Sequence, residues 1–317
     1  MRVVVQERLG GPEVLTVIER AVPEPGPGEV LVRVRAAGIN PVDWQTRAGQ
    51  GVARGMGPMP FTVGWDVSGE VVTVGSAVSD FRPGDEVFGM PRFPAQAAAY
   101  AEYVVAPAGE LAPKPRRLDH AHAAALPLAG LTAWQALTGK AGVRPGQRVL
   151  VHAAAGGVGH LAVQIAKARG AYVIGTASAG KHEFLRELGA DELIDYHRQS
   201  FESVVSDVDA VIELAGGDNA ARSLRTLRPG GVLVDVAHGG PRGLGAGTGL
   251  RVTTMLVKPD GRALRELAAL ADDGRLRVEL DSTFDLTEAA VAHAVGEKRA
   301  TTGKLVLRCA SGAEARS

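Results

Sequence analysis

Residues 148–169, RVLVHAAAGGVGHLAVQIAKAR, pass from a β-branched apolar run through a glycine-rich turn into a repeat with apolar residues three and four apart. A buried strand that ends in a tight turn and feeds an amphipathic helix reads this way. After Gly156, the stretch Gly157-Val158-Gly159-His160-Leu161-Ala162 satisfies GxGxxA. In such units the first glycine permits the turn, the second lets backbone approach a pyrophosphate, and the small third residue keeps the helix against the sheet. The helix N-terminus then offers unsatisfied N–H groups and a partial positive charge to phosphates. A left-handed turn without a ligand is the alternative, and the flanking pattern argues against it.

That pattern is an alternation of near-continuous apolar runs, AYVIGTA (171–177), ELID (192–195), DAVIELAG (209–216) and GVLVDVA (231–237), with amphipathic stretches that end at Gly170 and Gly189. Runs apolar throughout fit strands covered on both faces, and glycine fits the helix C-cap. The expectation is a doubly wound α/β domain over 123–274. Residues 1–122 differ: short β-branched runs such as EVLVRVRAAGI and AEYVVAP are separated by Gly and Pro, which predicts an all-β unit. Residues 275–317 predict a strand, a helix N-capped by Thr287, a strand GKLVLRC that returns to the first domain, and a frayed tail from CASGAEARS.

The nucleotide type is read at the end of the next strand. An NAD site carries an acid about 20 residues after the glycines. VIGTASAGKHEF has none before Glu183 and presents Thr176, Ser178 and Lys181, which suit a 2′-phosphate. NADPH is therefore the expected cofactor. Lys plus Arg and Asp plus Glu balance at 35 each, so no long-range field favours nucleic acid or an anionic membrane. No run approaches the roughly 20 apolar residues needed to span a bilayer, and the start carries no signal-like stretch. The lone Cys309 fits a reducing compartment, and cytoplasm is the expectation.

AAGINPVDWQTRAG, VGWDVSGEVVTVG, FRPGDEVFGM, LPLAGLTAWQAL, HAAAGGVG and TTGKLVL together resemble the medium-chain dehydrogenase/reductase superfamily, in its zinc-free quinone oxidoreductase and zeta-crystallin branch. The resemblance implies a GroES-like β-barrel catalytic domain joined to a doubly wound Rossmann NADP-binding domain. It places Asn40, Trp65 and Leu128 where zinc-dependent relatives carry metal ligands, and none of the three suits zinc. No bound metal is expected. Reduction of a quinone or an α,β-unsaturated carbonyl follows as the implied chemistry, with a small carbonyl compound as substrate.

By the same resemblance Asn40, Thr132 and His238 are the candidate catalytic residues. Asn40 would lie near the nicotinamide and Thr132 beside its ribose. His238 would donate a proton or hold a carbonyl, a solvated loop histidine being the alternative. The candidate cofactor-binding set is Gly156, Gly157, Val158, Gly159, Thr176, Ser178, Lys181, Tyr196, Ala215, Gly216 and Lys304. Trp44 and Gln45 stand where related reductases often carry a tyrosine, which leaves the proton source open; Tyr100 and Tyr103 are candidates to compensate, with one expected to pack in a strand. Trp65 reads either as a substrate wall or as filling. Two other functions compete: a natural-product tailoring enzyme acting on one intermediate, and an NADPH-binding protein without turnover. The apolar run LRVTTMLV (250–257) reads as a sheet edge that a second copy would cover, so a homodimer is expected.

Overall fold

The computed structural model describes residues 1–309. The described chain divides into two units, one of Met1–Leu131, Lys258–Gly274 and 278–309, the other of Thr132–Val257 with Arg275–Arg277. Residues 258–274, which the sequence pattern assigns to the α/β domain, cluster with the first unit.

The first unit opens with an antiparallel pair, β1 (Arg2–Val5) and β2 (Thr16–Glu19). β3 (Glu29–Ile39) is its central strand, followed by helix α1 (Pro41–Arg47), then β4 (Asp66–Val74), β5 (Glu86–Gly89), β6 (Tyr103–Pro107) and β7 (Leu111–Pro113). The middle of β3 alternates: Val32, Val34 and Ala36 are buried, while Arg33 and Arg35 between them turn outward to Glu70, at 2.7 and 3.5 Å. A period of two on a half-covered sheet demands this. Helices α2 (His120–Ala125) and α3 (Pro127–Trp134) lead out of the unit.

The second unit is a six-stranded parallel sheet. In chain order it contains β8 (Arg148–Val151), α4 (Gly159–Ala168), β9 (Tyr172–Ala177), α5 (His182–Glu187), β10 (Glu192–Asp195), β11 (Val208–Glu213), α6 (Asn219–Ser223), β12 (Leu227–Asp235) and β13 (Arg251–Thr254). The spatial order is β10-β9-β8-β11-β12-β13, so the winding reverses between β8 and β11. Leu150, Ile174, Ile194, Val208, Val211 and Leu233, from five of the strands, join a single buried cluster with Phe201 and Val205. The glycines expected to end α4 and α5 do so with left-handed φ values, 77° at Gly170 and 93° at Gly189.

The chain then returns to the first unit. α7 (Gly261–Asp272) is N-capped by Asp260, whose carboxylate accepts from Ala263 N at 2.9 Å, and buries Ala263, Leu264, Leu267 and Ala271. β14 (Leu280–Asp285), α8 (Ala289–Glu297) and β15 (Lys304–Arg308) follow. β15 pairs antiparallel with β3, as the motif GKLVL led one to expect. Thr287 is not an N-cap: it lies inside a 3-10 turn, Leu286–Glu288, opened by Asp285, whose N–H donates to the Glu288 carboxylate at 2.9 Å. An acid two residues earlier reached the helix start first. The expected frayed tail beyond Cys309 lies outside the described residues. No helix among the described residues is long and apolar enough to cross a membrane.

Leu150 is fully buried in the sheet's main cluster. Leu150→Ala should destabilise the second unit by about 3 kcal/mol through the cavity it leaves. Thermal unfolding of the variant tests this, and an unchanged midpoint would refute the assignment of that cluster as the unit's core.

Candidate cofactor and active site

Parallel sheets bind ligands outside the strand C-termini, at the point where the winding reverses. Here that point joins the turn after β8 to the turn after β11. The first turn, 152–158, carries the glycines. Its left-handed residue is Ala153 (φ 47°), not Gly157. Gly159 is needed for another reason: a Cβ there would sit 2.7 Å from the Ala154 carbonyl oxygen, so only glycine lets α4 start against the end of β8. α4 then opens at Val158 without a side-chain cap, leaving an uncapped N-terminus of a ten-residue helix at the crevice. His160 Nδ1 lies 2.9 Å from the Gly156 carbonyl and ties the helix back to the turn.

Next to it, Asp195 at the end of β10 is in register with Ala177 at the end of β9. Ser178 and Tyr196 therefore follow two paired residues and emerge side by side, with Lys181 closing a short 3-10 turn beyond Ser178. Tyr196 is 55% exposed. Thr176 does not share this edge. It is buried, and its hydroxyl faces His152 Nδ1 at 3.1 Å. Thr176 lies within β9 and forms part of the crevice floor, whereas Ser178 lies beyond the strand's last residue, Ala177, and is partly exposed.

That floor was not evident beforehand. The Ser223 hydroxyl donates to the Asn219 carbonyl at 2.6 Å, so it accepts from His152 Nε2–H at 2.9 Å, and Nδ1 accepts from Thr176. The ring is neutral, its pKa pushed down to about 4 by burial and by the Arg222 charge. Glu213, the last residue of β11, is fully buried. Its Oε1 accepts from Ala215 N at 2.6 Å and Gly216 N at 2.8 Å; Oε2 lies 3.7 Å from His152 Nε2 and makes no hydrogen bond. Burial pushes its pKa up to about 7, aided by Asp235 and opposed by the two N–H groups. Ala215 and Gly216 are thus where the resemblance put them, in the turn after β11. His238 follows β12, exposed and left-handed (φ 55°). An acid closing an apolar strand, as in VIE and LVD, was the available signal for this floor.

In the first unit a second polar cluster surrounds Asn40. Asn40 Nδ2 donates to Asp66 at 2.8 Å, and the Lys304 ammonium donates to Asn40 Oδ1 and to the Ile39 carbonyl. Asp66 also accepts from Leu128 N at 2.8 Å. Lys304, read as a cofactor residue, is buried and spends two of its three donors on β3 and its end. Burial raises Asp66 to about 6 and lowers Lys304. Asp43 accepts from Asn40 N at 2.6 Å and from the Tyr100 hydroxyl at 2.9 Å, and burial pushes it up to about 7. Arg47 donates to His293 Nδ1, so His293 Nε2–H donates to Tyr100. Tyr100 is therefore a core residue. So is Trp65, whose indole N–H donates to Ala95 O at 2.7 Å, with its ring edge-on to Phe93. Thr132 is buried on α3.

Two family patterns match the chain: an alcohol dehydrogenase GroES-like domain over residues 26–116 and a zinc-binding dehydrogenase over 188–307. A chloroplast envelope quinone oxidoreductase homolog of Arabidopsis thaliana is 34% identical over 316 residues, covering 94% of this chain and 95% of that protein. The chain belongs to the quinone oxidoreductase branch of the medium-chain dehydrogenase/reductase superfamily. Its two units are the GroES-like and Rossmann domains of that superfamily, and it is an oxidoreductase of the NAD(P)H-dependent kind. The quinone oxidoreductase of Coxiella burnetii has a TM-score of 0.91 at 39% identity, covering 98% of this chain and 99% of that one. The Escherichia coli quinone oxidoreductase solved as a complex with NADPH has a TM-score of 0.87 at 30% identity, covering 98% and 100%.

The dehydrogenase pattern is described as zinc-binding, and the residues here do not fit zinc. Asn40 is engaged by an ammonium and a carboxylate, Trp65 by a carbonyl, and Leu128 has no ligand atom. Among the described residues no group of three or more His, Cys, Asp or Glu could hold a metal ion. A dinucleotide does fit this member of the family, at the uncapped start of α4.

Glu213 binds its proton more tightly folded (about 7) than unfolded, so its contribution to stability is full at low pH and is lost as pH rises through 7. The charged or titratable groups facing it are Asp235 and the neutral His152. Glu213→Gln should therefore gain melting temperature relative to the natural chain between pH 5 and pH 8. A difference that stays constant across that range would show that Glu213 does not titrate there.

Proposed function

We propose that this chain reduces quinones or other α,β-unsaturated carbonyl compounds with NADPH and without zinc. The carrying observation is the C-terminal edge of the parallel sheet, where an uncapped helix start adjoins a strand end bearing Ser178, Lys181 and Tyr196. No carboxylate lies between Thr176 and His182. A cation and hydroxyl groups at that end favour a 2′-phosphate, which an acid would repel.

NADPH, when bound, supplies a hydride to an electron-poor carbon. The residues must then orient the acceptor and hold the charge that gathers on its carbonyl oxygen. Lys304 and Asp66 fix the Asn40 amide, whose second N–H is the donor left for such an oxygen. His238 is the candidate proton source and Thr132 the candidate support of the nicotinamide ribose. Among the described residues the first unit's clusters supply no metal ligand set, which favours conjugate reduction over alcohol oxidation, a reaction that needs a Lewis acid to stabilise an alkoxide. We read β13, the sheet's edge strand, as pairing with a second copy of the chain, and place the protein in a reducing compartment such as the cytoplasm.

Consumption of NADPH with a panel of quinones, alkenals and cyclic enones should reveal turnover; silence across the panel would overturn the reading. NADPH should be preferred over NADH, and Lys181→Ala should reduce that preference by roughly tenfold, the worth of one charge-assisted contact. Equal preference in the two proteins would remove Lys181 from the 2′-phosphate site. Sedimentation should give twice the chain mass.

A further inference from the structure

At the reversal point, the turns after β11 and β12 are each held from below by an acid. Glu213 Oε1 takes the N–H groups of Ala215 and Gly216 at 2.6 and 2.8 Å. Asp235, opposite Glu213 in the strand register, takes those of Gly239 and Gly240 at 3.3 and 2.9 Å. The two turns touch: a Cβ on Gly239 would lie 3.0 Å from Gly217 N and O. Gly216, Gly217 and His238 all sit in the left-handed region, at φ 82°, 67° and 55°. For His238 this conformation costs energy that something must offset.

Consecutive turn N–H groups of this kind form a concavity for an anion. Here the anion is built in. Because Glu213 occupies both N–H groups, the turn has neither left for a phosphate, and the uncapped start of α4 stays the anionic seat of the crevice. A buried carboxyl beside a second acid, with one oxygen lacking any hydrogen bond, is a costly way to fix a turn. A residue serving the fold alone would not need it at the ligand edge.

We infer that Glu213 is a positioning residue, which sets the 215–217 turn, and through it the adjoining 238–240 turn with His238, at the height required by the cofactor. The inference rests on the reading of this crevice as the NADPH site. What matters is reach: one oxygen must meet two N–H groups. Glu213→Gln keeps that reach and removes the charge, whereas Glu213→Asp keeps the charge and withdraws the oxygen by one methylene.

Amide hydrogen exchange of the cofactor-free proteins, with NADPH affinity by fluorescence titration and kcat and KM measured separately, decides it. Exchange at Ala215 and Gly216 should quicken about tenfold in E213D and stay near the natural rate in E213Q, given what one hydrogen bond contributes. NADPH dissociation constant and KM should rise with it in E213D, again about tenfold, and recover in E213Q. Equal exchange in all three proteins would remove the clasp. Faster exchange in E213D with unaltered NADPH affinity would make Glu213 merely structural, and equal loss in E213Q and E213D would make charge, not reach, the determinant; either overturns the inference. If the natural chain binds no nicotinamide dinucleotide, the site reading fails, and the exchange contrast in the unliganded proteins still decides whether Glu213 holds the turn.

Discussion

The crevice depends on how closely α4 can approach the end of β8. A side chain at Gly159 would meet the Ala153 and Ala154 carbonyls, so the helix starts there only because that position is glycine. With the helix in place, its uncapped N-terminus, the β9 and β10 ends and the turn after β11 share one edge of the sheet. The glycine motif therefore serves packing first, and the accommodation of a ligand follows from it. The left-handed strain of the turn falls on Ala153 instead of a glycine, so the turn is held by its neighbours and not by its own conformational preference.

Both units place ionisable groups where water does not reach them, and both solve the problem alike. His152 and His293 are each buried neutral, accepting a hydrogen bond at Nδ1 and donating at Nε2. The cost of such burial is offset only when almost every polar atom has a partner. Among the described residues seven buried side-chain atoms lack one; the two that are carboxyl oxygens, Glu213 Oε2 and Asp43 Oδ1, belong to the carboxyls pushed furthest up, to about 7. Around Asn40 an ammonium lies beside two carboxylates, which polarises the amide and fixes which of its ends faces which neighbour.

Much of this was legible in the chain itself. Near-continuous apolar runs identified five of the six parallel strands because a strand covered on both faces has no polar positions to interrupt it. LRVTTMLV gave the sixth as an edge. Ser178, Lys181 and Tyr196 could be placed after the ends of their strands because those ends were clear. What the chain did not show is that Thr176 and Lys304 are buried and hydrogen-bonded within the protein, because their partners, His152 for one and Asn40 for the other, lie more than 20 residues away. Thr287 lost its capping role to Asp285, two positions earlier, a margin that local pattern cannot resolve.

Sequence alone determined the two-part architecture, the strand-turn-helix with its glycines, and the lack of thiols for a zinc cage, since each depends on short-range periodicity, on spacing or on composition, while the family followed from the resemblance of several linked motifs. Tertiary structure decided which polar residues are floor and which are edge, that Glu213 and Asp235 stand in register beneath two touching turns, and that 258–274 belongs with the first unit. Those outcomes come from strand register and from hydrogen bonds between distant segments. Their energies are settled only when the whole sheet has closed and water has been expelled, so no window of neighbouring residues carries them.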